Sequence, residues 1–295
     1  MSAASNKVRI EWKANDAKRD AGLTTPEDIQ RFDNIQYGED PVWNCLDVYR
    51  PKNQTGRLPV IISVHGGGWV YGDKNLYQFY GMTLAQRNFN VINFSYRLAP
   101  ENKFPVQIED INNVVKWMYR NEDQYKFDLK HVFMVGDSAG AHLASLYTNI
   151  CTNKIYAKNY QITVPNNFIP TALGLNCGAY SPLSKDTENE ESNTGELMED
   201  FLPDKGTKEE IDLIDVTKHI TSDFPPVYLM TAVGDFCTDH TLKMDRALTK
   251  NNVKHILKIY GSNEKPLYHV FHVTIQEEEG QKCNDDECEF FKSYC

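Results

Sequence analysis

The segment Gly136-Asp137-Ser138-Ala139-Gly140 constrains this 295-residue chain more than any other. It follows the apolar run His131–Val135, which reads as a buried strand, and it opens a helix from about Ser138 to Ile150. A strand that passes into a helix within five residues must turn sharply. The flanking glycines let neighbouring backbone approach without a Cβ clash. A Gly-x-Ser-x-Gly run in that setting holds its serine hydroxyl above the carboxyl edge of a sheet, near the positive end of a helix. Ser138 is therefore the candidate nucleophile.

The surrounding pattern supplies the sheet. Val60–His65 is nearly continuous apolar sequence, as expected of a strand covered on both faces. Asn90–Tyr96, Ala172–Cys177, Val227–Val233 and His255–Tyr260 also read as strands, with short β-rich runs at Phe32–Tyr37 and Trp43–Tyr49. Val106–Arg120 carries Ile108, Ile111, Val114, Val115 and Met118 near helical spacing, Thr241–Lys250 is helical in pattern, and the tail from Glu287 suggests a terminal helix. Repeated βα units predict an α/β protein with a mostly parallel sheet in a single domain, 1–295. Residues 1–30 are polar and predict a short helix or arm, with Thr25-Pro26-Glu27 resembling a helix start. The stretch 183–222 leaves the βα pattern; it reads either as a small cap over a site or as a solvated surface loop.

Charge and cysteine content exclude several classes. With 31 Lys+Arg against 41 Asp+Glu the net charge is −10, so no basic face for nucleic acid is expected. No apolar run of about 18 residues exists to span a membrane, and the first residues lack a secretory pattern, which predicts a cytoplasmic protein. Cys45 and Cys177 lie in apolar stretches, where a thiol behaves as a small hydrophobe. Cys283, Cys288 and Cys295 lack the paired spacing and His partners of a zinc site. Nothing in the sequence suggests a metal, nucleotide or flavin cofactor.

A second glycine-rich segment, His65-Gly66-Gly67-Gly68-Trp69, ends the buried strand Val60–Val64. Three consecutive glycines cost conformational entropy, and they are useful where backbone N–H groups must converge on an anion. The candidate donors are Gly67, Gly68 and Ala139. With Val70–Lys74, Tyr96-Arg97-Leu98-Ala99-Pro100-Glu101 and Gly136–Gly140, this segment resembles the esterase/lipase branch of the α/β-hydrolase fold, and within it the hormone-sensitive-lipase-like carboxylesterases. The likeness runs from about Phe32 to Phe271. It implies a cofactor-free serine hydrolase acting on small or medium acyl esters.

In that fold the triad runs in the order Ser, Asp/Glu, His. Gly234-Asp235 follows the strand Val227–Val233, where the family places its acid, and His269-Val270-Phe271 matches its His-x-Phe pattern, with Val270 where the family usually has Gly. The resemblance thus implies Ser138 as nucleophile, His269 as base and Asp235 as the group orienting it. His272 competes with His269; Asp239 competes with Asp235 and has a natural duty as a helix N-cap. His65 is expected to brace the glycine loop, His142 to bond behind the elbow, and Arg97 and Asp110 to serve as framework charges. Trp69 and Tyr71 are the candidate substrate wall, with Tyr77, Phe79 and Tyr80 nearby. The expected partner is a small ester. Alternatives are a carbohydrate acetyl or feruloyl esterase and a non-catalytic binding protein on the same scaffold; a homo-oligomer is compatible with any of them.

Overall fold

The computed structural model describes residues 1–182 and 194–295. Its frame is one eight-stranded sheet: β1 Ile29–Gln36, β2 Cys45–Pro51, β3 Leu58–Val64, β4 Asn90–Phe94, β5 Phe127–Asp137, β6 Ala172–Asn176, β7 Val227–Ala232 and β8 His255–Tyr260. Spatial order is β1-β2-β4-β3-β5-β6-β7-β8. The β1–β2 and β2–β4 pairs are antiparallel, and every pair from β4 through β3 to β8 is parallel. This is the mostly parallel α/β architecture expected from the sequence.

The helices are α1 Ala3–Arg19, α2 Gln78–Gln86, α3 Val106–Arg120, α4 Glu122–Tyr125, α5 Ala139–Thr152, α6 Thr194–Phe201, α7 Lys208–Ile214, α8 Thr238–Lys250 and α9 Glu278–Lys292. They cover both sheet faces, which is why the central strands are apolar throughout rather than alternating. Along β3, Val60, Ile62 and Val64 face the core shared with α3, α5 and α8, whereas Ile61 faces the one shared with α2 and α9. All four side chains are buried. Each is worth about 1.5–3 kcal/mol relative to exposure.

Three element predictions need correction. The helix start expected at Thr25-Pro26-Glu27 is a turn, closed by the Ile29 N–H donating to the Pro26 carbonyl at 3.1 Å, and it leads into β1. The amino-terminal helix lies earlier and is longer, with the Ser2 hydroxyl accepting from the Ser5 N–H as its cap. The terminal helix α9 begins at Glu278, nine positions before the expected start. Of the excursion at 183–222, residues 183–193 lie outside the described residues. The rest holds α6 and α7, and Leu197, Met198, Phe201 and Leu202 join the main core.

Glu287 anchors α9 in an unusual way. It is buried, with Oε1 accepting from Asn176 Nδ2 at 2.9 Å and Oε2 accepting from the Tyr80 hydroxyl at 3.2 Å. Burial pushes this carboxyl up to about 7, against the pull of those two donors. Between its ordinary value of 4.5 and about 7, the folded chain binds a proton that the unfolded chain has released. Folding stability from this group therefore falls as pH rises through that window. Glu287→Gln is expected to gain on the parent between about pH 5 and about pH 8, by on the order of 3 kcal/mol. Thermal unfolding of both proteins at the two pH values measures it; a difference independent of pH would refute the assignment.

Candidate active site

Four loops at the carboxyl ends of β3, β5, β7 and β8 meet where the strand order reverses around β3, the usual site of function in an open α/β sheet. The loop after β5 carries Ser138 at φ 51° and ψ −120°, a region that costs about 1–3 kcal/mol for a residue with a Cβ. Neighbouring contacts hold it there. The Ser138 N–H donates to the Asn176 carbonyl at 3.0 Å, and its own carbonyl accepts from the N–H groups of His142 and Ala179. The elbow packs so tightly on β3 that a Cβ on Gly140 would lie 2.1 Å from the Val64 carbonyl oxygen. Glycine is required there.

The candidate acid and base, Asp235 and His269, lie in the loops after β7 and β8. His269 Nδ1 and Asp235 Oδ1 are 2.7 Å apart. The second Asp235 oxygen accepts from the Thr231 hydroxyl at 2.7 Å, and Oδ1 also accepts from the Cys237 N–H at 2.9 Å. Burial alone would raise the Asp235 carboxyl, but the bond to His269 and the other donors hold it below its ordinary value. A charged acceptor of this kind places the imidazole proton on Nδ1 and leaves Nε2 as a lone-pair base. Phe236 lies against the ring, centroids 4.0 Å apart, and fixes its plane.

Ser138 and His269 share a cavity of about 330 Å³ with Gly66, Gly67 and Tyr71. Gly67 has φ 116°, and a Cβ there would meet the Tyr71 carbonyl oxygen at 1.9 Å, so this turn also demands glycine. Gly68 and Trp69 follow in the left-handed region at φ 57° and 63°. Among the described residues the N–H groups of Gly67 and Gly68 find no acceptor, and the Ala139 N–H is the first of α5, which a helix leaves without an internal partner. Gly68 and Ala139 do not line the cavity themselves.

Other residues singled out from sequence fall into the framework. Trp69 is buried, stacks on Phe201 at 5.1 Å and donates its indole N–H to His142 Nδ1 at 3.1 Å; it stands behind the glycine loop rather than on the cavity wall. His142 in turn donates from Nε2 to the Ile214 carbonyl at 2.8 Å, and burial lowers its pKa to about 4. His65 braces the loop through Nδ1 and the Gly66 carbonyl at 2.7 Å. His272 is fully buried against Tyr80 and lines no part of the cavity; burial lowers it to about 3. Arg97 pairs with Asp110 at 2.7 Å. Asp239 sits in the first turn of α8 but is not its N-cap, because the helix already starts at Thr238 with Cys237 in the capping position. Tyr77 lines the cavity and donates to Asp137 at 2.7 Å; burial raises that carboxyl to about 6.

Sequence reasoning missed the wall contributed by α1. Trp12, Asn15, Asp16 and Arg19 all line the cavity. Their spacing of three or four residues puts them on one helical face, which is the signal that could have found them. The Tyr71 hydroxyl donates to Asp16 at 2.8 Å, and Arg19 pairs with Asp16 and Asp20 while donating to the Leu76 carbonyl. Farther along, Arg9 bonds Glu101 and the carbonyls of Val70 and Ala99, and Asp200 of α6 accepts from the Ser2 N–H and the Ser5 hydroxyl. The helix is strapped across the glycine loop.

The chain is similar in fold and sequence to known esterases. Esterase B of Lactobacillus rhamnosis superposes with a TM-score of 0.88 at 28% identity, over 99% of this chain and 97% of that one. Versiconal hemiacetal acetate esterase of Dothistroma septosporum is 25% identical over 83% of this chain and 82% of its own length. Isoprenylcysteine alpha-carbonyl methylesterase of Arabidopsis thaliana is 34% identical, but over 38% of this chain and 26% of that protein. Several relatives of higher identity are matched over only about a quarter to a third of their length. No helix among the described residues is long and apolar enough to cross a membrane. The family description BD-FAE matches residues 46–241, which include both glycine loops, Ser138 and Asp235. This chain belongs to the BD-FAE family and has the α/β-hydrolase fold of these esterases.

Proposed function

We propose that the chain is a serine carboxylesterase, active on short- to medium-chain acyl esters through an acyl-enzyme. The observation that carries this reading is the 2.7 Å bond between Asp235 and His269, beside a serine held at φ 51° in the same cavity. Ser138 attacks the ester carbonyl while His269 Nε2 takes the hydroxyl proton. The N–H groups of Gly67, Gly68 and Ala139 receive the charge that develops on the carbonyl oxygen. His269 then returns the proton to the leaving alcohol, and water repeats the sequence on the acyl-enzyme. Asp235 stays ionised and holds the imidazole in register.

The chain acts as one catalytic domain, with α1, α6 and α7 as its cap. A cavity of about 330 Å³ is at the small end of the 300–1,000 Å³ common for ligand sites, which supports short acyl groups. The polar face of α1, with Asn15, Asp16 and Arg19, supports a polar alcohol portion and keeps a carbohydrate ester as the second reading. A binding protein without chemistry would not need a strained serine beside an oriented histidine.

Two measurements test the proposal. A serine-directed phosphonate should label the parent and not Ser138→Ala; a parent that stays unlabelled refutes the activated serine. Aryl esters of rising acyl length, assayed beside acetylated sugars, should give the highest kcat/KM at short chains. Preference for chains of about twelve carbons or more would overturn the size argument.

A further inference from the structure

Cys177 follows β6, in an apolar stretch that predicts a small buried hydrophobe. The fold carries it to the back of the triad. It is fully buried at φ 48°, and its N–H donates to the Met230 carbonyl at 2.7 Å. Its sulfur, a ring nitrogen of His269 and a carboxylate oxygen of Asp235 all lie within 4.8 Å of one another. The thioether of Met230 is 3.9 Å from the same sulfur. One thiol, one imidazole, one carboxylate and one thioether thus converge from the ends of three neighbouring strands.

We propose that Cys177, Asp235 and His269, with Met230 behind them, form an inhibitory site for a soft divalent cation such as Zn²⁺ or Cd²⁺. The donor set selects the metal. Two sulfurs and an imidazole suit soft or borderline ions, whereas Mg²⁺ and Ca²⁺ require oxygen ligands. Bonds of about 2.3 Å to sulfur and about 2.0 Å to nitrogen and oxygen place tetrahedral donors about 3.3–3.8 Å apart. The group is therefore within about an ångström of a binding arrangement before any cation arrives.

The inhibition rests on the triad reading above, and its chemistry is specific. The cation, entering as an aqua ion, forms bonds to the Cys177 sulfur, an Asp235 oxygen and His269 Nδ1, and gives up water ligands in exchange. The thiol proton leaves to solvent. The proton on Nδ1 moves to Nε2, whose lone pair it occupies, so one proton is released in total and no electron is transferred. His269 can then no longer accept the Ser138 proton. The bond to Asp235 that orients the ring is replaced by two bonds to the metal.

The experiment uses the purified full chain with CdCl₂ and ZnCl₂. On addition of Cd²⁺ the parent should develop the ultraviolet charge-transfer absorption of a cadmium–thiolate bond, and Cys177→Ala should not. In parallel, ester hydrolysis by the parent should be lost on titration with Zn²⁺ and recovered with EDTA, with MgCl₂ at equal concentration having no effect. Cys177→Ala and Cys177→Ser, which leave the triad in place, should hydrolyse like the parent and need on the order of tenfold or more Zn²⁺ for the same inhibition. Met230→Leu, which keeps the volume, should weaken the inhibition as well. Equal sensitivity of the parent and both Cys177 variants would overturn the site. Absorption at Cys177 in a chain that hydrolyses no ester would uphold the metal site and refute the triad reading.

Discussion

Ser138→Ala is expected to remove turnover of an activated ester by a factor of about 10⁴–10⁶ while the protein stays folded. The hydroxyl is the only atom lost, and none of the contacts that shape the elbow passes through it. The Asn176 carbonyl still accepts from residue 138, and Gly140 still packs on β3. What survives should be the modest rate that backbone donors and binding supply without a nucleophile. Ser138→Gly sharpens the test. It is equally inactive, but it relieves the strain at φ 51° and should unfold at a higher temperature than Ser138→Ala. Burst and steady-state kinetics, with circular dichroism on each variant, make the comparison. An alanine variant within tenfold of the parent would mean that the elbow is not the reacting centre.

Asp235→Asn is expected to cost about 10³–10⁴ in kcat/KM, as loss of the orienting carboxylate does in serine proteases. An amide nitrogen turned toward His269 Nδ1 would donate rather than accept, leaving the imidazole proton on Nε2, where it blocks proton uptake from Ser138. Two further donors, the Thr231 hydroxyl and the Cys237 N–H, are arranged for a carboxylate and would oppose an amide N–H in their place. Asp239→Asn should stay within about twofold of the parent. Its carboxylate lies in the first turn of α8, where its loss removes a helix-dipole interaction of about 0.3–1 kcal/mol. kcat/KM on one activated ester, beside the melting temperature, separates the two positions. A large rate loss at Asp239 with Asp235→Asn near parental would reverse the assignment.

Short-range signals account for most of what was legible in advance. Helix α3 spans Val106–Arg120 as the periodicity predicts, because the face it buries repeats every 3.6 residues, and β8 spans the expected His255–Tyr260 as an edge strand on which Ile256 and Ile259 stay exposed. The elbow was legible because Gly136 and Gly140 are required by a close backbone approach that any sequence making this turn must meet. Boundary errors arose where local preference was weak. Thr25-Pro26-Glu27 fits a helix start and a hydrogen-bonded turn equally well, and strand pairing of β1 with β2 selects the turn. Asp239 has the side chain of an N-cap, yet α8 extends past it to Thr238, because Asp235 stabilises the preceding turn through the Cys237 N–H.

The amino-acid sequence by itself determined the α/β class and the strand–elbow–helix unit. Those features depend on residues close together in the chain, so spacing encodes them. Only the tertiary structure decided which groups share a space. It joined His269 to Asp235 rather than leaving His272 to compete, and it withdrew Trp69 from the cavity by packing it on Phe201. It also laid α1 across the glycine loop and brought the thiol of Cys177 against Asp235 and His269. These outcomes depend on how helices stack on a twisted sheet and on partners distant in the chain, such as Ser2 and Asp200. Apolar burial fixes those distances collectively, and no local pattern in the chain records them.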